Sequence, residues 1–361
     1  MSNNLPSSPG GDEPDPRLRV LSRSPLNAEL PLESQGSVIT PNHLFFHRNR
    51  FAQPDLSPLT WRLYVGGTVE QPLTLRYADL LKRPARTLTV TLECAGNGRS
   101  AFAPPADGEP WDYGAVGTAE WTGVRLADVL REAGVRAETR EILFEGADAG
   151  KLDGRDGDTR FARSLPVDQA LHRDTLIAYA MNGDPLPAAH GFPARLIVPG
   201  WYGVASVKWL TRIVALTEPF TGYFQRERYI IPADDGSPTP LTYVPPRSVI
   251  VSPADGQRVT AGRCVIRGLA WSGGGIVSAV DVSTDGGRTW RSARFTSRAE
   301  PHAWRAWEFA WDAPPGEHVL QSRATDEAGN TQPDVAPWNR LGYANNAIQA
   351  LRLTCLELGD R

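Results

Sequence analysis

The sequence predicts a β-rich α+β protein of two domains, the second of which is an immunoglobulin-like β-sandwich. The chain of 361 residues is long enough for two domains of ordinary size. Its first part mixes strand and helix patterns, whereas from Ser248 onward short strand patterns follow one another between turns. Between these parts, Pro232 to Pro246 is dense in Pro, Ser, Asp and Gly, which is typical of a linker.

The first domain is predicted from local signals. Gly66-Gly67 separates two apolar runs as in a hairpin. Short helices are predicted over Tyr77 to Arg83 and up to Ala133, where Gly134 stops the second one. Residues 20–60 have no regular pattern, and an acidic loop is predicted near residues 153–158. Further strands are predicted over residues 142–144, 175–181, 194–198 and 207–216.

The stretch from Thr87 to Ser100 ends a predicted strand in a cysteine. Apolar and polar residues alternate up to Glu93, the period of a half-buried strand. Cys94 then enters a glycine-rich turn that closes at Arg99. Glycines allow a ligand to approach the backbone, and a nearby cation favours the thiolate. A buried structural cysteine before a turn remains the alternative interpretation.

The second domain is predicted from regularly spaced strands over about 110 residues, with Asp285-Gly286-Gly287 as one of its turns. Cys264 and Cys355 lie in predicted sandwich strands and are interpreted as core residues. The other strands are predicted over residues 249–251, 277–283, 289–295, 307–311 and 318–325.

The composition excludes several classes of protein. The net charge of -3 provides no bulk polycation for nucleic acid, and no apolar run is long enough for a transmembrane helix. Three cysteines give neither a disulfide framework nor a CxxC zinc or CxxCH haem motif. Residues 1–19 contain no apolar signal core and no adjacent arginine pair, which predicts a disordered segment. The protein is therefore expected to be cytoplasmic, or periplasmic if a leader was removed.

Several ordered motifs resemble the sulfite oxidase family of molybdenum enzymes. The stretch from Leu92 to Arg99, LECAGNGR, is similar to the family's cysteine motif. The resemblance covers roughly residues 20–355 and implies a molybdopterin-binding catalytic domain over residues 20–245. It also implies an immunoglobulin-like dimerisation domain over residues 246–361. The other motifs that carry it are Phe46-His47-Arg48-Asn49, Trp111 to Ala115, Trp121 to Leu126, Phe144 to Asp148, His190 to Arg195, Val207 to Leu210 and Trp338-Asn339.

The resemblance implies a molybdenum–molybdopterin cofactor with Cys94 as the metal's protein ligand, and no haem or flavin. A soft thiolate suits such a metal. Arg195 and Lys208 resemble the anchors of the pterin phosphate, and both residue types bind phosphate well. From the residues alone, His190 could instead cap a turn, Lys208 could be solvated and Asp148 could be a loop acid. The remaining cofactor-binding positions implied are Phe46, His47, Arg48, Asn49, Asp148, His190, Ser206 and Val207.

The resemblance also implies a catalytic pocket for a small oxyanion, with Arg48, Arg99, Trp111 and Tyr229 as its residues. The sequence departs from the family pattern at three positions. Arg50 replaces the histidine that usually follows Arg-Asn, and Gly98 replaces a basic residue of the animal and plant motif. A family arginine is expected two positions after Trp-Asn, whereas Arg340 follows one position after it. Each departure leaves the corresponding contact open.

The activity implied is oxidation of sulfite to sulfate by oxygen-atom transfer, with electrons passed to a cytochrome c-type protein or to dioxygen. The resemblance also implies a homodimer. One alternative is a family member that reduces another small oxide, nitrate or a sulfoxide. Two others come from different classes: a thiol hydrolase that uses Cys94 with a histidine base, and a non-enzymatic binding module built on the sandwich.

Overall fold

The computed structural model describes residues 13–232 and 237–357. Near the N-terminus, β1 (Arg19–Arg23) and β2 (Leu26–Glu29) form an antiparallel hairpin where the sequence predicts irregular structure. Leu18, Ala28 and Leu30 are buried there in a small apolar cluster. Of the predicted disordered segment 1–19, residues 1–12 lie outside the described residues. Residues 15–18 form a turn, in which the Leu18 amide donates to the Asp15 carbonyl at 2.9 Å.

Two five-stranded sheets build the first domain. One has the order β4-β3-β12-β7-β8; the other has the order β10-β9-β6-β5, with β11 also paired to β9. All pairs are antiparallel except β12 with β3. The strands are β3 (Arg62–Gly67), β4 (Leu73–Arg76), β5 (Arg86–Glu93), β6 (Val116–Arg125), β7 (Glu141–Lys151), β8 (Asp158–Pro166), β9 (Leu176–Met181), β10 (Asp184–Pro185), β11 (Arg195–Ile197) and β12 (Leu210–Leu216).

The helices are short and lie between the strands. The second one follows β6 as predicted, buries its apolar face and ends at Gly134, whose φ of 67° suits glycine. The α-helices are α1 (Tyr77–Leu81), α2 (Leu126–Ala133), α3 (Val167–Ala170) and α4 (Tyr223–Arg226). The 3-10 helices are Leu32–Ser34, Asn42–Leu44, Arg99–Ala101, Ala188–His190 and Gly203–Ala205. In the described parts of the chain, none of the helices has the length and apolar character that crossing a membrane requires.

The second domain is a two-sheet sandwich, which confirms the predicted fold class. Its sheets have the orders β15-β17-β21-β20 and β16-β23-β22-β18-β19. Before it, β13 (Ile230–Pro232), which ends where the predicted linker begins, pairs antiparallel with β14 (Pro238–Pro240) inside that linker. The sandwich strands are β15 (Arg247–Ser252), β16 (Gln257–Thr260), β17 (Gly262–Trp271), β18 (Val277–Ser283), β19 (Arg291–Ser292), β20 (Arg294–Phe295), β21 (Arg305–Ala313), β22 (Gly316–Asp326) and β23 (Ala350–Leu356).

The predicted strand over residues 289–295 is wrong as a single element. β19 pairs with β18 and β20 pairs with β21, so this segment crosses from one sheet to the other. The predicted strand over 207–216 begins only at Leu210, because Trp209 has a φ of 50° that interrupts extended backbone.

Three large apolar clusters position the site. One fills the first domain and one fills the sandwich. The third spans both domains and includes Ala95, Phe224 and Tyr229 of the first with Trp271 and Tyr343 of the second. The residues that follow Cys94 are therefore packed at the boundary between the domains.

Candidate active site

The loop after β5 holds Cys94 in a buried and closely bonded setting. The Gly96 amide donates to the Cys94 sulfur at 3.5 Å, and the Asn97 amide donates to the Cys94 carbonyl at 2.9 Å. Gly98 has a φ of 79°, so a basic residue at this position would be strained. Glycine at this position thus suits the left-handed backbone of the loop.

The second domain holds the Cys94 loop through a buried ion pair. Glu93 accepts from Arg247 at 2.7 Å, and both side chains are 3% exposed. The indole of Trp271 donates to the other Glu93 oxygen at 2.7 Å. Asn345 donates to the Gly98 carbonyl at 2.8 Å. The position of Cys94 thus depends on residues far away in sequence.

The surroundings of Cys94 do not support a thiol hydrolase. Burial raises the pKa of the thiol, and the charges of Arg48 and Arg99 oppose that shift. Among the described residues, no histidine is hydrogen-bonded to the sulfur, although a nucleophilic cysteine needs such a base. The same residues contain no group of three or more His, Cys, Asp and Glu side chains that could hold a metal ion. A metal at Cys94 would therefore need most of its ligands from another molecule.

Cys94 lies where two cavities meet. The first cavity has an empty volume of about 730 Å³ and the second, here called the arginine cavity, about 1100 Å³. Five residues line both: Arg48, Asn49, Arg50, Cys94 and Tyr229. The first cavity also contains these residues predicted to bind the cofactor: Phe46, Asp148, His190, Arg195, Ser206, Val207 and Lys208.

Arg195, which is buried, and Lys208, which is partly buried, form no salt bridge with a carboxylate in the described ranges, although the charge of Asp148 acts on Lys208. Arg195 is 5% exposed and donates to the carbonyls of His190 and Ser206, each at 2.9 Å. Its Nε atom is buried and has no partner, and burial lowers the pKa of its guanidinium to about 9. Lys208 bonds Asn49 and, at 2.9 Å, the Ala189 carbonyl. Burial, followed by the charge of Arg195, lowers the Lys208 pKa well below its usual value. A buried charge without a counterion is costly, so this arrangement suits an anionic ligand.

The two histidines predicted to bind the cofactor stack on each other, with ring centroids 5.0 Å apart. His190 lines the first cavity, whereas His47 lines a neighbouring cavity that also includes His190 and Asn49. Burial lowers the pKa of His47 to about 4 and that of His190 well below its usual value. Both rings are therefore neutral near pH 7, and the Nδ1 atom of His47 is buried with no hydrogen-bond partner among the described residues.

Asp148 and Ser206 add a carboxyl group and a hydroxyl group to the lining of the first cavity. Asp148, on β7, is buried, which raises its pKa to about 6 against the opposing charge of Lys208. Ser206 accepts a hydrogen bond from the Val198 amide at 3.0 Å, which fixes the loop before Val207. Asp148 can thus accept or donate a hydrogen bond over a modest pH range.

The four residues predicted to be catalytic all line the arginine cavity: Arg48, Arg99, Trp111 and Tyr229. Arg48 donates to the Tyr229 hydroxyl at 3.1 Å. Trp111 is fully buried and forms part of the wall. Arg99 also braces the loop, since it donates to the carbonyls of Leu341 at 3.0 Å and Glu109 at 2.7 Å. The second terminal nitrogen of Arg99 forms no hydrogen bond with a described residue.

Of the three positions that depart from the family pattern, Arg50 lines the arginine cavity, whereas Gly98 and Arg340 do not. Arg50 and Arg228 line it, and neither side chain forms a hydrogen bond or ion pair with a described residue. Arg340 does not line it; its guanidinium is 67% exposed and pairs with Asp107 at 2.7 Å. Leu341 and Tyr343 line the wall instead.

Sequence reasoning missed Tyr343, Arg247 and Arg163. Tyr343 stacks on Tyr229 with ring centroids 5.2 Å apart, and Arg163 donates to the carbonyls of Phe224 and Leu241, which lie on either side of Tyr229 in the sequence. These contacts link segments that are distant in sequence and leave no local pattern. Backbone strain marks the same region: Trp209, Tyr229 and Ala344 are three of the four non-glycine residues with positive φ in the described ranges.

Comparisons with known proteins find relatives over most of the chain. Residues 50–224 match the family "Oxidoreductase molybdopterin binding domain", and residues 240–354 match the "Mo-co oxidoreductase dimerisation domain". Rat mitochondrial sulfite oxidase is 41% identical over 94% of this chain, which spans 66% of the rat protein, about two thirds of its length. Sulfite oxidase of Arabidopsis thaliana is 34% identical, with 92% of each chain covered. The crystal structure of the sulfane dehydrogenase SoxCD from Paracoccus pantotrophus is 35% identical with a TM-score of 0.82, covering 91% of this chain and 84% of that one.

Proposed function

Because the chain belongs to the sulfite oxidase family of molybdopterin-dependent oxidoreductases, we propose that it oxidises sulfite to sulfate. The observation that carries the proposal is the junction of the two cavities, where Cys94, Arg48 and Tyr229 meet. One cavity offers a thiol and buried cations, as an anionic cofactor needs. The other offers arginines and a phenol, as a small oxyanion needs.

The residues of the first cavity fit the molybdenum–molybdopterin cofactor that family membership implies. Cys94 would be the protein ligand of the metal; burial raises the pKa of its thiol, and the charges of Arg48 and Arg99 partly offset that effect. Arg195 and Lys208 would neutralise the phosphate, with the unpartnered Arg195 Nε as a free donor. His47, Asn49, Asp148 and His190 would bond the pterin ring. When bound, the cofactor supplies two-electron oxygen-atom transfer, which the side chains alone lack.

The residues of the arginine cavity would bind and orient sulfite. Sulfite and sulfate are both anions near neutral pH, so fixed cations at Arg48 and Arg99 serve substrate and product alike. The Tyr229 hydroxyl accepts its bond from Arg48, which leaves its own proton free to be donated to a substrate oxygen. Trp111 excludes water from one side. The overall reaction combines sulfite and water to give sulfate, two protons and two electrons, which an external acceptor takes up.

The acceptor that we propose is a cytochrome c-type protein, with dioxygen as the alternative. We also propose a homodimer formed through the sandwich, with the domain boundary near residue 245. The match to a family described as a dimerisation domain supports this assembly. Light scattering should give about twice the chain mass of 39.4 kDa at micromolar concentration. A monomer at that concentration would count against the dimer.

A second candidate substrate follows from the SoxCD likeness, because that protein is described as a sulfane dehydrogenase. A thiosulfate-type substrate is therefore to be tested beside sulfite. The decisive experiment is metal analysis of purified protein with substrate-dependent reduction of ferricyanide and cytochrome c. Sulfite oxidation with about one molybdenum per chain supports the proposal. Zinc in place of molybdenum, or turnover of a sulfane, nitrate or a sulfoxide but not of sulfite, overturns it.

A further inference from the structure

One wall of the arginine cavity comes from the second domain. The segment between β22 and β23 places Leu341 and Tyr343 in that wall. This segment is firmly held. The Tyr343 amide donates to Asn339 at 3.0 Å, and Asn339 donates back to the Tyr343 carbonyl at 2.8 Å. The next amide, that of Ala344, donates to the carbonyl of Ala95 in the Cys94 loop at 3.0 Å.

The ring of Tyr343 is fixed between two residues of the proposed substrate pocket. It stacks on Tyr229, with an angle of 16° between the rings, and the Arg99 guanidinium lies 5.2 Å from its centroid. The backbone of Ala344 has a φ of 55°, which costs energy in a residue other than glycine. The fold therefore accepts local strain at the position that follows Tyr343.

The hydroxyl of Tyr343 is available for a ligand. It has no hydrogen-bond partner in the described parts of the chain, and it is not among their fully buried unpartnered atoms. Burial of the side chain raises the pKa of the phenol, so the group keeps its proton and can donate. Tyr229 differs, because its hydroxyl already accepts from Arg48.

The neighbouring arginine does not compete for this role. Arg340 points to Asp107 and is largely exposed, and Leu341 offers only its carbonyl, which Arg99 occupies. The wall contributed by the second domain thus presents a neutral phenol and no cation from its own residues 340–343.

We propose that Tyr343 is a substrate-contacting residue, whose hydroxyl donates a hydrogen bond to an oxygen of the bound sulfur oxyanion. This inference rests on the proposed function of the cavity. It assigns the fixed positive charge to Arg48 and Arg99, and it assigns to Tyr343 the recognition of an oxygen atom without further charge. The second domain then contributes directly to substrate binding.

The test is Tyr343→Phe, which removes the hydroxyl and keeps the ring against Tyr229 and Arg99. The KM for sulfite should rise about tenfold, as expected for one hydrogen bond to a charged ligand, with molybdenum content and melting temperature unchanged. Tyr243→Phe is the matched control, because it removes the hydroxyl of an exposed tyrosine that lines neither cavity, and it should leave KM unchanged. An unchanged KM in Tyr343→Phe, or an equal rise in Tyr243→Phe, overturns the proposal.

Calorimetric titration with sulfate separates this inference from the proposed function, because it needs no turnover. The affinity for sulfate should fall about tenfold in Tyr343→Phe, whether or not sulfite is the substrate oxidised. Equal sulfate affinity in wild type and variant would contradict the contact even in an active enzyme. A wild type that binds sulfate but does not oxidise sulfite would contradict the proposed function alone.

Discussion

Two buried arginines of this protein differ in what neutralises their charge. Arg247 pairs with Glu93 at 2.7 Å across the domain boundary. Arg195 is also buried, yet its partners are backbone carbonyls, and its Nε has no partner in the part of the chain that the structure describes. Breaking a buried ion pair is strongly destabilising, whereas a buried cation without a counterion is a cost that the chain itself does not offset. The paired arginine therefore serves the fold, and the unpaired one is placed for an anion from outside.

Arg163 shows that a missing carboxylate is not sufficient for this interpretation. It is also buried, has an unpartnered Nε, and burial lowers its pKa to about 10. Its bonds go to carbonyls beside Tyr229, and it lines neither of the two cavities that meet at Cys94. Arg195 and Lys208 differ from Arg163 because both line the first cavity.

The largest effect is expected where the two cavities meet. Cys94→Ser should lose molybdenum and measurable sulfite oxidation, because a hydroxyl is a harder and far less acidic ligand than a thiol. Metal analysis and ferricyanide reduction measure both. Cys264→Ser is the matched control, since that free cysteine lies in β17 of the sandwich. Full activity in Cys94→Ser would remove the basis for the metal site.

The sequence predicts this junction only in part. Alternation over Arg86–Glu93 predicts the strand before Cys94 but not its burial, because Val90 to Glu93 are buried on both faces whereas the alternation predicts a half-buried strand. The positions of Arg195 and Lys208 in one cavity follow from motif resemblance. The Glu93–Arg247 pair spans 154 residues, and the Tyr229–Tyr343 stack joins two domains. Such long-range contacts have no periodicity or spacing that a single sequence reveals.

For the arginine that is paired with a carboxylate, Arg247→Met should lower the free energy of unfolding by about 3–5 kcal/mol, because it leaves Glu93 buried without a counterion. Urea denaturation of cofactor-free protein measures this. In the double variant Glu93→Gln with Arg247→Met, much of the loss should be recovered, since no isolated charge remains. A single-variant loss below about 1 kcal/mol would show that the pair does not hold the domains together.

In the arginine cavity, Arg48→Gln and Arg99→Gln should each raise the KM for sulfite by roughly ten- to a hundredfold, for a lost interaction of about 1.5–3 kcal/mol. Molybdenum content should stay near that of the wild type. Arg99 also bonds the Leu341 and Glu109 carbonyls, so Arg99→Gln should lower the melting temperature more than Arg48→Gln. Native KM values in both variants would mean that these residues only brace the loop or the cofactor.

The most direct test of the distinction between paired and unpaired cations is Arg195→Met, measured twice. In protein from a host that cannot make the cofactor, Arg195→Met should lower the free energy of unfolding by at most about 2 kcal/mol. This loss is smaller than that expected for Arg247→Met, because no carboxylate is left unpaired. In protein from a competent host, molybdenum per chain should fall about tenfold. Full molybdenum content together with a stability loss as large as that of Arg247→Met would contradict the account.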